Sequence, residues 1–330
     1  MPANLTPQYQ KAEQEFRKAH SAQEKMEHLE HMLKLIPKHK GTEKLQADLK
    51  SRLKELKSEV ESEKKSTRKG GASYKFPAQG AGQVLLIGAP NSGKSRILAE
   101  LTNATPEIGD YPFTTHEPMP GMMPWEDVMV QLIDTPPVTE SHIESYLINL
   151  VRSADALVLC FDGSSDDAPE ETAAVIEQFE SRKTILTDHT GFDEADFSRV
   201  NLNTLLVTTR GWDPDAQERV GFFREITGRQ FNERFVDLDQ HEEREVLREA
   251  LYQALHVKRV YTKRPGKPAE YIDPFTIDRA GTVEDLAVCV HREMAEKLKY
   301  AKVWGESAHD GQSVSRDHVL CDRDMVELHW

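Results

Sequence analysis

Residues 85–98 read LLIGAPNSGKSRIL, and few stretches restrict the fold of a chain as tightly. Four apolar residues run into Gly88, and Gly93-Lys94-Ser95 follow, so Gly88, Ala89, Pro90, Asn91, Ser92, Gly93, Lys94 and Ser95 match G-x-x-x-x-G-K-[ST]. A phosphate needs several converging N–H donors, and glycines let the backbone curl round it without a Cβ clash. A helix opening at Lys94 and Arg96 adds free N–H groups and the positive end of its dipole. Lys94 is then placed to reach the β- and γ-phosphates, and the Ser95 hydroxyl to ligate Mg²⁺. The alternative is a plain glycine turn beside an exposed lysine. The strand–loop–helix order argues against it.

The surroundings agree with that order. QVLLIG, VMVQLID, ALVLCFD, TLLVTT and RFVDLD are short, nearly continuous apolar runs separated by helical stretches. Strands of this kind are buried on both faces, which predicts an α/β doubly wound sheet over residues 83–257. Ahead of it, Ala12, Phe16, Ala19, Met26, Leu29, Leu33 and Ile36 make one stripe at 3- and 4-residue steps, a helix over 8–36. Pro37 and Gly41 break it, Thr42 is placed to cap, and Leu45, Leu49, Leu53, Leu56 and Val60 carry a second stripe. The expectation is a helical hairpin over residues 1–65, with its stripe packed on its own partner or offered to another protein. Residues 66–82 form a basic, glycine-containing linker, and residues 258–330 a small mixed domain.

Charge is unevenly shared. The formal net charge is −14, yet residues 1–75 hold 17 Lys and Arg against 11 Asp and Glu. An acidic body repels nucleic acid, so RNA contact falls to the basic end or to local patches; a solvated helical face fits the same residues. Three well-separated cysteines, Cys160, Cys289 and Cys321, suit a reducing compartment, and no run is apolar enough for a membrane span. The polar start does not read as a signal peptide, so the expected location is the cytoplasm.

GAPNSGKS, DYPFTTHEPMPGMM, VQLIDTP and RSADALVLCFD together resemble the developmentally regulated GTP-binding proteins and their Obg relatives. RVYTKRPGKPAEY, GTVEDL, LKYAKVWG and DHVLCDRDMVEL resemble the TGS domain of that subfamily, and IPKHKGTEKL its N-terminal helices. The resemblance implies a cytoplasmic Mg²⁺-dependent GTPase that binds guanine nucleotide and works with ribosomes or RNA, and a β-grasp TGS module contacting RNA or protein. It implies that Thr115, or Thr114 if the alignment slips by one, ligates Mg²⁺, and that Asp134 holds a Mg²⁺-bound water.

Three departures from the pattern stand out. D-x-x-G appears as Asp134-Thr135-Pro136-Pro137, with proline in place of the glycine whose N–H would meet the γ-phosphate. The guanine-reading N-K-x-D reads TTRGWDPDA, with Thr209, Arg210 and Trp212 at the key positions and Asp213 one residue late. The Ser-Ala loop reads VDLDQHEE. Val138 stands where some GTPases carry a water-orienting Gln, but an apolar residue there resembles the Obg side of the superfamily and does not by itself imply inactivity. The phosphate machinery is intact while the base-reading and switching parts are altered. A nucleotide-held ribosome or RNA adaptor with negligible hydrolysis, and an enzyme of relaxed or ATP-preferring specificity, are the competing readings.

Other features read more plainly. His20, His28 and His31 lack HExxH or paired Cys/His spacing and read as surface residues. FDGSSDDAPEE lacks the EF-hand order and reads as a solvated loop. Lys263, Arg264 and Lys267 form a basic loop, for RNA backbone or for solvent.

Overall fold

Three helices, not two, precede the sheet. The computed structural model describes residues 5–19, 22–37, 42–63, 74, 76–104, 117–193, 196 and 198–330. Helix α1 (Pro7–Lys18) starts where the Thr6 hydroxyl accepts the Tyr9 amide at 3.2 Å and Pro7 needs no donor partner. It ends at Ala19, which turns extended at φ −64°, ψ 132°. Helix α2 (Ala22–Leu35) and α3 (Glu43–Glu63) follow. The expected single helix over 8–36 is therefore broken, and the hairpin is a three-helix unit. The sequence held a signal for this: SAQE at 21–24 has the S-x-x-E spacing that opens a helix, masked by a stripe continuous across the break. Tyr9, Phe16, Leu29, Met32, Leu49 and Leu56 bury the stripes against one another.

Helix α1 also meets the body of the protein. Glu13 accepts from the Phe192 amide, Lys18 pairs with Asp155 at 2.6 Å, and the Phe16 and Phe192 rings lie 5.8 Å apart. That body is an eight-stranded sheet of β1 (Gln83–Gly88), β2 (Met119–Trp125), β3 (Val128–Asp134), β4 (Ala156–Asp162), β5 (Thr184–Thr187), β6 (Gly191–Phe192), β7 (Val200–Thr209) and β8 (Asn232–Val236). The main path runs β2-β3-β1-β4-β7, all parallel except β2. β8 extends the sheet beside the C-terminal half of β7, while β5 and β6 pair with its N-terminal half. Two apolar layers cover the faces. One holds Leu147 and Val151 of α5 (Ser145–Ser153), Val175 and Phe179 of α6 (Ala168–Glu180) and Phe223 of α7 (Ala216–Thr227). The other holds Ile97 and Leu101 of α4 (Lys94–Leu101) and Leu247 and Leu251 of α8 (His241–Ala254). Helices on both faces leave the C-terminal ends of β1, β3, β4 and β7 as the place for a site.

A second, five-stranded sheet follows: β9 (Val257–Thr262), β10 (Phe275–Asp278), β11 (Tyr300–Trp304), β12 (Gln312–Val314) and β13 (Asp324–His329), in the order β10-β9-β13-β11-β12. Its central pair β9–β13 is parallel, as a β-grasp requires. The stretch TVEDLAVCVHREMAEKL forms two helices, α9 (Val283–Val290) and α10 (Arg292–Lys297). His291 adopts an extended φ of −168°, and its Nδ1 accepts the Glu293 amide.

Arg259 of β9 joins the two sheets. Its guanidinium, 5% exposed, binds Glu126 and Asp127 in the β2–β3 turn and Asp322 at 2.7 Å, and lies 4.9 Å from the Trp125 ring. Burial works to raise the Asp127 carboxyl, but bonds from Tyr261 and Arg259 overcome it and hold it below its ordinary value. Asp322 is held low by Arg259 against the same burial. A folded-state pKa below the unfolded one gives stability present at neutral pH and lost as pH falls below the ordinary carboxylate value of about 3.9. Arg259→Ala should cost about 2–3 kcal/mol at pH 7, with the gap to the parent narrowing below about pH 4. Thermal melts across that range check this; equal melting temperatures at pH 7 would show that the cluster is not a clamp.

Candidate functional site

The loop from Gly88 to Ser95 leaves the end of β1 and turns into α4. Gly88 has φ +155°, and a Cβ there would lie 2.7 Å from Ser92 Oγ and 2.8 Å from the Cys160 carbonyl. Gly93 has φ +90°, with a Cβ position 2.7 Å from Thr209 Cγ2. Asn91 takes the left-handed φ of +59° that its short amide tolerates. The resulting curl places Lys94 inside it. Lys94 is buried, and its Nζ donates to the carbonyls of Gly88 at 3.1 Å and Ala89 at 2.7 Å and to Ser92 Oγ at 3.3 Å. Burial lowers its basicity and outweighs the pull of nearby Asp134 and Glu171. Polyphosphate oxygens would supply the opposite charge its carbonyl and hydroxyl acceptors lack.

Ser95 and Asp134 meet beside it. Ser95, in the first turn of α4, donates its hydroxyl to Asp134 Oδ2 at 2.5 Å. Asp134 ends β3 and is fully buried. A hydroxyl and a carboxylate are hard oxygen donors, and two such groups next to a phosphate cradle fit Mg²⁺, which keeps much of its water shell. Thr115 and Thr114, the other expected metal residues, lie outside the described residues.

The strand then runs into Thr135-Pro136-Pro137-Val138. The Thr135 hydroxyl donates to the Leu86 carbonyl at 2.7 Å, and the Val138 amide to Gly88 O at 3.1 Å. Pro137 has no amide hydrogen to offer. Val138, at the position of a water-orienting Gln, is fully buried in the apolar layer with Leu85 and Ile87.

The residues at the positions expected to read the base sit at the end of β7. Thr209 is buried, and its hydroxyl binds the Ser92 carbonyl at 3.1 Å and the Phe161 carbonyl at 3.3 Å, so it braces the phosphate loop from below. Arg210 pairs with Asp162 at 2.7 Å and donates to Asn91 O at 3.3 Å. Trp212 is 63% exposed. Asp213 is engaged elsewhere: its Oδ1 accepts from the Asp215 amide at 3.0 Å and from Arg219 at 2.8 Å, and these two bonds hold its carboxyl below the ordinary range. Arg96 pairs with Asp239, which belongs to the loop standing where Ser-Ala is expected. Asp162 and Asp239 were not among the residues expected from sequence. The signal for Asp162 was its place at the end of β4, beside the loop after β1.

The remaining candidates separate cleanly. Asp162 and Asp166 of the acidic run serve Ser164 and Arg219. Lys263 pairs with Glu327 at 2.8 Å and lies 4.4 Å from the Trp304 ring centroid, which leaves Arg264 and Lys267 as the exposed cations of that loop. His20 lies outside the described residues, and His28 is 3.4 Å from Glu15. Among the described residues no helix is long and apolar enough to cross a membrane.

Comparison with known proteins gives two family matches and several relatives. Residues 83–189 match the family described as 50S ribosome-binding GTPase, and residues 258–329 the TGS domain. An uncharacterized GTP-binding protein of Halobacterium salinarum is 26% identical, over 93% of this chain and 98% of its own. One from Methanocaldococcus jannaschii is 25% identical over 93% and 92%. The developmentally-regulated GTP-binding protein 2 homolog of Dictyostelium discoideum is 25% identical over 92% of this chain and 98% of its own.

Proposed function

We infer that this chain, a homologue of the developmentally regulated GTP-binding proteins over most of its length, is a P-loop GTP-binding protein of their GTPase type. The observation that carries the reading is one convergence: Lys94 folded into the Gly88–Gly93 curl, with Ser95 and Asp134 joined at its side. In this reading the backbone from Gly88 to Arg96 cradles the phosphates and Lys94 binds the β- and γ-oxygens. Ser95 and Asp134, with Thr115 or Thr114, would hold Mg²⁺. When bound, Mg²⁺ neutralises charge on the phosphate oxygens. The test is binding of GTP to the full chain with Mg²⁺ and with chelator. Binding that ignores the chelator would remove the metal role of Ser95 and Asp134.

The partner class is ribosome or RNA in the cytoplasm, reached through the TGS domain, with its exposed Arg264 and Lys267, or through the N-terminal helices. A second reading has a specific support. Pro137 lacks a donor and the Val138 amide is held by Gly88 O, so this loop offers the γ-phosphate no replacement amide, which favours a nucleotide-held adaptor.

Base selectivity should be weak. Guanine is distinguished by a carboxylate accepting from its N1–H and amino group, and sites built on such pairs discriminate by large factors. Trp212 cannot accept, and Asp213 would have to leave Arg219. GTP is expected to win over ATP by less than about a hundredfold, with Asp213→Ala leaving the ratio unchanged. Competition binding reads this directly; a much larger preference, lost in Asp213→Ala, would show the reader displaced by one residue but working.

A further inference from the structure

Far from the phosphate loop, a cavity of about 700 Å³ opens between α1, α2, α3, α5, the turn after α6, Phe192 of β6 and the start of β7. Among the described residues six cations line it, Arg17, Lys25, Arg52, Arg152, Arg182 and Lys183, against three carboxylates, Asp48, Glu55 and Asp196. On a chain of net charge −14 this is a local inversion of sign. Several of these cations hold the walls together. Arg152 donates to Thr184 Oγ1 at 2.9 Å and to the Arg182 carbonyl at 2.7 Å, and Lys183 to Ser198 Oγ at 2.6 Å.

Arg17 is different. It is 8% exposed, and among the described residues its Nε and Nη1 have no hydrogen-bond partner. Glu13 and Asp155 act on it only through space, since Glu13 accepts from the Phe192 amide and Asp155 from Lys18 and the Gln83 amide. Both atoms are closed off from the cavity, so Arg17 acts as a fixed positive charge behind its wall, and the cations that can meet a phosphate directly are Arg52, Arg152 and Arg182 on the lining. Burial also lowers the basicity of Arg152, and Arg52 adds to the effect, so like charges face each other here.

We propose that this cavity is a second anion site, one that takes a nucleoside phosphate. Guanidinium forks match phosphate oxygens, and the Tyr74 and Tyr146 rings on the wall, 4.8 Å apart and tilted by 58°, offer a surface for a flat ring of any base. The volume falls in the range that encloses a small ligand. A free nucleotide and a nucleotide of single-stranded RNA present the same chemistry.

The experiment uses the full chain carrying Lys94→Ala, so that binding at the phosphate loop does not interfere. It is titrated calorimetrically with 5′-AMP, adenosine, pyrophosphate and a six-nucleotide oligoadenylate at low and moderate salt. The expected result is one-to-one binding of 5′-AMP that weakens with salt and is at least about tenfold tighter than adenosine. Arg17→Gln and Arg52→Ala should each weaken it by about tenfold or more. Oligoadenylate binding tighter than 5′-AMP assigns the site to RNA, and weaker binding to a free nucleotide. No saturation by 5′-AMP or oligoadenylate at millimolar concentration, or affinity unchanged in the variants, overturns the proposal. If Arg17→Gln does not fold, Arg52→Ala and Arg182→Ala, at exposed positions, decide it.

Discussion

Replacing Lys94 by alanine is expected to remove measurable nucleoside triphosphate binding while leaving the fold intact. Two charge-assisted bonds to phosphate oxygens contribute roughly 1.5–3 kcal/mol each, so their loss weakens binding by about a hundredfold to ten-thousandfold. Stability should move the other way or not at all. The Lys94 ammonium is buried among neutral acceptors, Gly88 O, Ala89 O and Ser92 Oγ. Asp134 and Glu171 act on it only through space, and the desolvation relieved on truncation offsets that attraction, so the melting free energy should stay within about 1 kcal/mol of the parent or rise. Titration with GTP and ATP, alongside a thermal melt, checks both halves. Undiminished binding in Lys94→Ala would mean that the loop is a structural turn.

Pro137→Gly is expected to restore discrimination between triphosphate and diphosphate. GTPases of this type sense the γ-phosphate through a threonine on Mg²⁺ and a glycine N–H. Pro137 has no N–H, and its neighbours do not substitute for it: the Thr135 hydroxyl is held by Leu86 O and the Val138 amide by Gly88 O. A hydrogen bond to a charged group is worth roughly 1.5–3 kcal/mol, so regaining it should raise the GTP-over-GDP ratio by about ten- to a hundredfold. A ligand pair bound equally shifts no equilibrium, which is why the parent should switch weakly. Affinities for GDP and a non-hydrolysable GTP analogue, with protease protection of residues 110–150, measure this. Strong protection of the parent by the analogue alone would show that the proline is no handicap.

What could be read from the sequence follows from how local each determinant is. The phosphate loop was legible because strand, glycines, lysine and helix lie within fourteen consecutive residues. β2 was not, since MPGMMPW contains Pro120, Gly121 and Pro124 and survives only as an edge strand paired with β3. The four residues of β5 and two of β6 are too short to carry a period. The break between α1 and α2 was hidden by a stripe that continues across it. Asp213 was read as a possible base contact because its partner Arg219 sits on the next helix, where one arginine looks like any surface cation. Arg17 and Arg259 illustrate the same limit. Their burial comes from elements far away in the chain, and nothing in their immediate neighbours announces it.

The central claim is that an intact phosphate and metal cradle is joined to altered base-reading and switching parts. The most direct test is one set of competition affinities for GTP, GDP and ATP on the full chain, with Mg²⁺ and with chelator. The account predicts saturable binding that needs Mg²⁺ for the triphosphates, GTP ahead of ATP by less than about a hundredfold, and GTP and GDP within about tenfold of each other. Failure to bind any of the three, or a GTP preference over both competitors well above those limits, would contradict it.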